Sequence, residues 1–184
     1  MKFAYADPPY PGQALKHYGN DPRASEVDHV ALVAQLEQYD AWALSTSEPA
    51  LEYVIECLQA NGLRRAAGDY RVCPWVKPFA SFKPGVNPAW CWEPVIVRGG
   101  RQLGRDVPTV RDWVSANITM RRGMHGAKPD KFCYWLFDFV GLMPDDKFTD
   151  LYLGSGAVTR AWEQWCRQYR FPAECTAAVQ MRGL

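Results

Sequence analysis

The sequence predicts an α/β fold built on a doubly wound, mostly parallel sheet. Short apolar runs typical of buried strands alternate with segments of helical periodicity over most of the 184 residues. The length suits one domain, residues 1–184, with a sizeable core. Two later strand candidates have no helix between them, which predicts an antiparallel hairpin at one side of the sheet.

The predicted elements follow one another in a regular order. They are a strand at 3–6, a helix at about 29–38, a strand at 41–45, a helix that ends at Asn61-Gly62, strands at 70–76 and 90–98, a helix at about 131–142, a strand at 148–153, a helix at about 157–169 and a short strand at 176–181. Asp28 is expected to cap the first helix. Its apolar side is predicted to carry Val30, Val33, Ala34 and Leu36.

Composition narrows the function classes. The net charge is only +1, so nucleic acid would have to be bound through a local basic patch. The six cysteines include no CxxC pair and the three histidines are scattered, so no metal site is predicted. We expect buried thiols in a reduced, cytoplasmic protein, and no apolar stretch approaches the length of a membrane span.

Residues 99–128 are rich in Gly and Arg and show little apolar periodicity. A solvated insertion is the ordinary interpretation of such a run. A surface that contacts nucleic-acid phosphates has equal weight, because the basic residues cluster in a nearly neutral chain. The candidate nucleic-acid contacts are Arg101, Arg105, Arg121 and Arg122.

The tetrapeptide Asp7-Pro8-Pro9-Tyr10 directly follows the first predicted strand. Its prolines fix φ and remove two backbone donors, so the turn is stiff and its carbonyl oxygens are free to accept from a ligand. Tyr10 offers a flat face for stacking. The tetrapeptide alone is more typical of a rigid turn, but it also suits a site that accepts hydrogen bonds from a flat, amino-bearing ring.

A second loop, Gly154-Ser155-Gly156, follows the strand predicted at 148–153 and opens a helix. Glycines let the backbone approach a ligand closely, and a helix N-terminus offers free amides. The signal alone is weak, because packing turns also carry two glycines and the GxGxxG fingerprint is incomplete. In a parallel sheet, however, both loops open on the same carboxyl edge, where ligands bind.

With these motifs in this order, the chain resembles S-adenosylmethionine-dependent amino-methyltransferases of the DNA adenine-N6 or cytosine-N4 type, in their permuted beta arrangement. His125-Gly-Ala-Lys128-Pro129 resembles the motif that precedes the donor loop in that family. Trp75-Val-Lys77 and the strand after Trp92 resemble its late hairpin. The resemblance implies a Rossmann-like, circularly permuted fold whose far side is shortened.

The resemblance also implies roles for individual residues. Asp7, Pro8, Pro9 and Tyr10 would be catalytic: the Asp7 carboxylate and the Pro8 carbonyl would hold the two amino hydrogens, and Tyr10 would stack on the flipped base. The donor S-adenosylmethionine would be held by Asp150, Tyr152, Gly154, Ser155, Gly156, His125, Lys128 and Pro129. The partner would be DNA, with adenine N6 as the preferred target, in restriction-modification or phage DNA modification. A second subunit, in a homodimer, is one way to supply sequence recognition.

Two alternatives remain open. The family usually places an acidic residue on the donor ribose, and only Glu174 or, less well placed, Glu163 is available here. A methyltransferase-like nucleic-acid-binding protein with weak or lost donor binding is therefore one alternative. The other is an RNA or nucleotide amino-methyltransferase, because the same tetrapeptide serves any planar amino group.

Single cysteines and tryptophans yield further expectations. Cys73-Pro74 reverses the Pro-Cys pair of carbon-5 cytosine methyltransferases, and a buried structural thiol is predicted there. Trp42, Trp75 and Trp135 are predicted to lie in the core, whereas Trp90 and Trp92 fit either the core or a base contact.

Overall fold

The computed structural model describes residues 1–10, 26–79, 85–119 and 127–169. Several sequence predictions fall outside these ranges: most of the 11–28 loop, the strand at 176–181, His125, Arg121, Arg122 and Glu174.

Six strands and four helices lie within the described residues. The strands are β1 (Lys2–Ala6), β2 (Ala41–Ser45), β3 (Arg71–Val76), β4 (Trp92–Gly99), β5 (Val114–Ser115) and β6 (Lys147–Asp150). The helices are α1 (His29–Leu36), α2 (Leu51–Ala60), α3 (Asp130–Phe139) and α4 (Ala157–Gln168), with short 3₁₀ turns at Glu48–Ala50 and Arg65–Ala67.

The strands form one sheet in the order β5-β3-β4-β2-β1-β6. β1 is parallel to β2 and β6, β3 is parallel to β5, and β4 runs antiparallel to its neighbours β2 and β3. The predicted mostly parallel sheet with an antiparallel hairpin is thus confirmed. β4, the second strand of the hairpin, lies inside the sheet, and β6 is one of the two edge strands of the described sheet.

Helices cover both faces of the sheet, which explains why β1 is apolar at successive positions. Phe3 and Tyr5 belong to the core cluster that contains residues of α3 and α4. Ala4 and Ala6 belong to the opposite cluster, with residues of α1 and α2. The carboxyl end of β1 therefore emerges between two packed layers.

The first helix corrects one prediction. Asp28 caps it as expected, with its Oδ1 accepting from the Ala31 amide at 3.0 Å. The buried stripe, however, consists of His29, Leu32, Val33 and Leu36. Val30 is 43% exposed and Ala34 is also exposed, so both were assigned to the wrong face. The prediction counted apolar residues only, whereas His29 is buried with its Nδ1 2.9 Å from the Val27 carbonyl oxygen.

Two other boundaries differ from the sequence prediction. The strand predicted at 148–153 ends at Asp150, so Tyr152 and Leu153 lie in the following loop. The region 99–128 is not wholly an insertion, because it contributes β5 to the sheet. Val114 and Ala116 are buried in the core on that side.

The cysteine and tryptophan predictions were partly right. Cys57, Cys73 and Cys133 are buried as expected, but Cys91 is exposed and Cys166 is half-buried. Trp42 and Trp75 lie in the core, while Trp135 is only partly buried. Burial raises the pKa of the Cys73 thiol to about 12, as expected for a structural thiol. None of the described helices combines the length and apolarity needed to cross a bilayer.

Candidate active site

The two predicted loops meet at one edge of the sheet. Tyr5 on β1 is paired with Asp150 on β6, and the Leu151 amide donates to the Tyr5 carbonyl at 2.9 Å. Asp7 lies two residues beyond Tyr5, so the tetrapeptide and the glycine loop leave neighbouring parallel strands side by side. This is the carboxyl edge, where open α/β sheets bind ligands.

Asp7 forms an ion pair with a buried lysine. The Lys128 Nζ lies 2.7 Å from Asp7 Oδ2, and the lysine side chain is only 4% exposed. Burial alone would lower the pKa of the Lys128 ammonium, but the Asp7 carboxylate raises it well above its usual value. The Asp7 side chain is 23% exposed, so solvent or a ligand can still reach it.

The ion pair extends into a row of alternating charges, here called the charge array: Asp7, Lys128, Glu93 and Lys77. Lys128 Nζ lies 3.9 Å from Glu93 Oε2, and Glu93 Oε1 in turn accepts from Lys77. The Trp75 ring lies beneath both ammonium groups, with its centroid 4.9 Å from Lys77 Nζ and 5.5 Å from Lys128 Nζ. The indole face thus adds a cation–π contact to each cation.

The rest of the tetrapeptide packs around this array. Pro8 is buried, while Pro9 and Tyr10 are half-buried. Burial raises the pKa of the Tyr10 phenol. Tyr10 is therefore a neutral phenol at physiological pH.

A second pair of side chains, Tyr5 and Ser45, lies at the same edge of the sheet as Asp7. The Tyr5 hydroxyl and Ser45 Oγ are 2.8 Å apart and both residues are fully buried. They link the ends of β1 and β2. Burial raises the pKa of Tyr5 well above its usual value, so this pair remains a neutral hydrogen bond.

On the neighbouring strand, Asp150 has an unsatisfied oxygen. Its Oδ2 accepts from Thr159 Oγ1 at 3.2 Å, whereas Oδ1 is buried without a hydrogen-bond partner among the described residues. Burial raises the pKa of this carboxyl group, and the Thr159 hydroxyl and the Tyr152 amide oppose that rise. An orphaned buried acceptor in a native fold calls for an explanation, and a donor group of a ligand is one that fits.

The glycine loop leads from Asp150 into α4. Gly154 and Gly156 have φ values of 47° and 69°, in the left-handed region that favours glycine. A Cβ at position 154 would meet only the Tyr152 carbonyl oxygen, at 3.7 Å, so space is open there. Gly156 occupies the N-cap position of α4 without a side-chain cap, as expected of a loop that approaches a ligand closely.

The structure brings most of the predicted site residues together. The Lys128 ammonium, which was predicted to bind the donor, contacts Asp7 of the tetrapeptide. Pro129 is the N-cap residue of α3. Tyr152 is half-buried beside Asp150 and packs against the core cluster of α1 and α2.

Arg101 does not line this edge. Its guanidinium binds Asp146 through contacts of 2.5 and 2.7 Å and donates to the Gly141 carbonyl at 2.8 Å. Asp146 immediately precedes β6, so this Arg101–Asp146 ion pair, here called the clasp, lies at the amino edge of the parallel strands, opposite Asp7. Arg105 is exposed in the segment that follows.

Sequence reasoning did not assign a site role to Glu93, Lys77 or Ser45. The available signal was the position of Glu93 near the start of β4, just before a run of apolar residues. No cluster of metal-ligating side chains occurs among the residues that the structure describes.

Comparison with known proteins supports the fold. No protein-family model and no curated protein sequence matches the chain. The solved structure of M1.HpyAVI in complex with SAM is similar, with a TM-score of 0.56 and 14% identity over 90% of this chain and 78% of that one. A second M1.HpyAVI structure gives a TM-score of 0.54 and 13% identity over 90% of this chain and 76% of the other.

The chain has an α/β fold similar to that of these two structures. At this level of identity the likeness concerns the fold, and function has to be argued from the site.

Proposed function

We propose that this protein transfers a methyl group from S-adenosylmethionine to the exocyclic amino group of a flipped base in DNA, with adenine N6 as the preferred target. The observation that carries the proposal is the pairing of β1 with β6. It sets the Asp7 carboxylate beside the orphaned oxygen of Asp150 and the glycine loop. An acceptor for the base and a cradle for the donor thus lie side by side.

The residues of the donor side fit the proposed ligand. Asp150 Oδ1 would accept from a donor group of S-adenosylmethionine, and the open space at Gly154 would admit it. M1.HpyAVI, which shares the fold, was solved with SAM. When bound, S-adenosylmethionine supplies an electrophilic methyl group on a sulfonium sulfur.

The residues of the base side address the weakness of an amino nitrogen as nucleophile. Its lone pair is delocalised into the ring, and acceptors that grip both hydrogens favour a pyramidal nitrogen with its lone pair directed outward. The Asp7 carboxylate and the Pro8 carbonyl oxygen take these two hydrogens, and Tyr10 supports the ring by stacking. The Lys128 ammonium binds Asp7 Oδ2 and thereby holds the carboxylate in place.

The test is an assay with isotope-labelled S-adenosylmethionine on unmethylated DNA and on RNA, followed by nucleoside analysis. We expect N6-methyladenine in DNA. N4-methylcytosine instead would change the target, and label in RNA alone would replace DNA as the substrate. Calorimetry with S-adenosylmethionine is the companion measurement, because absence of binding at millimolar donor would favour a nucleic-acid-binding protein that has lost the donor.

A further inference from the structure

Glu93 has no role in the chemistry proposed above, yet it lies next to the lysine that binds Asp7. Its Oε2 is 3.9 Å from the Lys128 ammonium. We propose that Glu93 is a positioning residue, which together with Lys77 holds Lys128 against Asp7. This inference rests on the proposed function.

Lys128 needs more than one anion. A buried ammonium pays a large desolvation penalty and has three N–H donors to satisfy. Asp7 satisfies one donor at 2.7 Å, and Glu93 supplies the second negative charge at 3.9 Å. Without that charge, the lysine would depend wholly on Asp7, the carboxylate that must also serve the substrate.

Glu93 is well placed for a positioning role because its backbone is held on both sides. It sits near the start of β4, the strand inserted between β2 and β3. It pairs with Trp75 across the hairpin, and the amide of Thr46 donates to the neighbouring Pro94 carbonyl at 3.1 Å. Side chains on such internal strands hold their position better than side chains on loops.

Lys77 and Trp75 complete the support. Lys77 donates to Glu93 Oε1 from the end of β3, which leaves Oε2 directed at Lys128. The indole of Trp75 lies under both cations and limits their movement. The charge array carries two positive and two negative groups, so it adds no net charge near the base.

The contact with Lys128 gives Glu93 an influence on the reacting group itself. The Lys128 ammonium that Glu93 faces also binds the amino-accepting carboxylate of Asp7. Since a displacement of about 1 Å costs a reaction roughly 100-fold, this coupling bears directly on the rate.

The test variant is Glu93→Gln, which keeps the shape and removes the charge. We expect kcat for methyl transfer to DNA to fall about 10- to 100-fold, as for other residues that orient an active group. The Kd for S-adenosylmethionine should change less than about two-fold, because Glu93 does not belong to the donor loop. Glu56→Gln, an exposed glutamate on α2, is the matched control and should leave both constants unchanged.

A second readout does not depend on activity. In protein labelled with ¹⁵N at lysine Nζ, with Lys128 assigned through Lys128→Met, NMR reports the buried ammonium directly. Because Glu93 is one of the two carboxylates next to this ammonium, its protons should exchange with solvent faster in Glu93→Gln than in the wild type. Glu93→Asp, which keeps the charge, should recover part of both kcat and the protection of the ammonium.

The outcomes separate the two proposals. Wild-type kcat together with unchanged Lys128 ammonium exchange in Glu93→Gln overturns the role of Glu93, whatever the substrate proves to be. If the wild type transfers no methyl group at all, the proposed function fails, and the Lys128 ammonium exchange still decides about Glu93. Should Glu93→Gln not fold, Lys77→Met decides instead: an unchanged kcat and Lys128 ammonium exchange there would overturn the inference.

Discussion

Two aspartates lie at the two ends of the short strand β6, and their hydrogen-bonding environments are opposite. Asp146 precedes the strand and binds the Arg101 guanidinium, the Met143 amide and the Met1 amine. Asp150 ends the strand and keeps one buried oxygen without a hydrogen-bond partner in the part of the chain that the structure describes. Hydrogen bonds from Arg101 hold the pKa of Asp146 well below its usual range, whereas burial raises that of Asp150.

The difference separates a structural edge of the sheet from a functional one. A satisfied carboxylate stabilises the native state, since its pairing is lost on unfolding. An unsatisfied buried carboxylate costs stability, and it persists where a ligand uses it. The two ends of β1 differ in the same way. The strand begins beside the Asp146 clasp, and Asp7 follows directly after its last residue.

The largest effect is expected at Asp7. Asp7→Ala should reduce methyl transfer by roughly 1000-fold or more, because it removes an acceptor aimed at the reacting amino group. The Kd for S-adenosylmethionine, measured by calorimetry, should stay within about three-fold, because the donor loop is untouched. Loss of donor binding would show that the two halves of the carboxyl edge are not separate.

A matched variant controls for folding in that experiment. Asp7→Ala leaves the buried Lys128 without its nearest anion, which is costly. The double variant Asp7→Ala/Lys128→Met removes both charges and should recover part of the lost stability without recovering transfer. Recovered transfer would show that the Asp7 carboxylate is not the acceptor.

Asp150→Asn should have the next largest effect. The amide oxygen is a weaker acceptor than a carboxylate, so donor affinity should fall about 10- to 100-fold, the worth of one hydrogen bond to a charged group. Because the folded pKa of Asp150 is raised, its ionised form costs stability above the usual Asp pKa. Urea unfolding at neutral pH should therefore show no loss of stability, and a clear loss would contradict the assignment of Asp150 to the functional edge.

Asp146→Asn should have the reverse pattern of effects, with lower stability and unchanged donor affinity. We expect the free energy of unfolding at neutral pH to fall by about 1–3 kcal/mol, because buried donors lose their anionic partner. The lowered pKa means that this stability is present above the usual Asp pKa and is lost as pH falls through the folded value. The variant should thus be less acid-sensitive than the wild type in urea unfolding, and its donor affinity and kcat should not change.

Arg101→Met should give the smallest effect. It removes one cation of the clasp, whose guanidinium is partly exposed, so a loss of about 1 kcal/mol is expected. Fluorescence anisotropy with labelled DNA should show unchanged affinity. Arg105→Met is the comparison, since Arg105 remains a candidate phosphate contact. Equal weakening of DNA binding by both variants would extend the functional surface to the amino edge.

Most of the fold followed from the sequence because parallel strands covered on both faces are apolar throughout, and helical periodicity marked the segments between them. The two site loops were found for a related reason, since each is a contiguous motif at the end of a strand. The hairpin was also predicted, but its place inside the sheet depends on pairing between distant segments. The two-residue strand β5 is too short to show any period.

The charge array was missed for a different reason. Asp7 and Lys128 are 121 residues apart, and Glu93 and Lys77 come from two further strands. Glu93 and Lys77 look like ordinary surface charges in the sequence, and Asp7 and Lys128 were assigned to different ligands. Only the strand order brings the four together. The wrong face assigned to Val30 and Ala34 has a similar origin, because tertiary packing selected His29 for burial.

The pairing of β1 with β6 also has a consequence for how the protein is made. Asp7 leaves the ribosome well before Lys128, which lies 121 residues further along the chain. β1 can pair with β2 early, but its other edge stays open until β6 has been synthesised. We therefore expect the site to assemble late, so that a nascent chain carries the tetrapeptide without its lysine until α3 and β6 have been made.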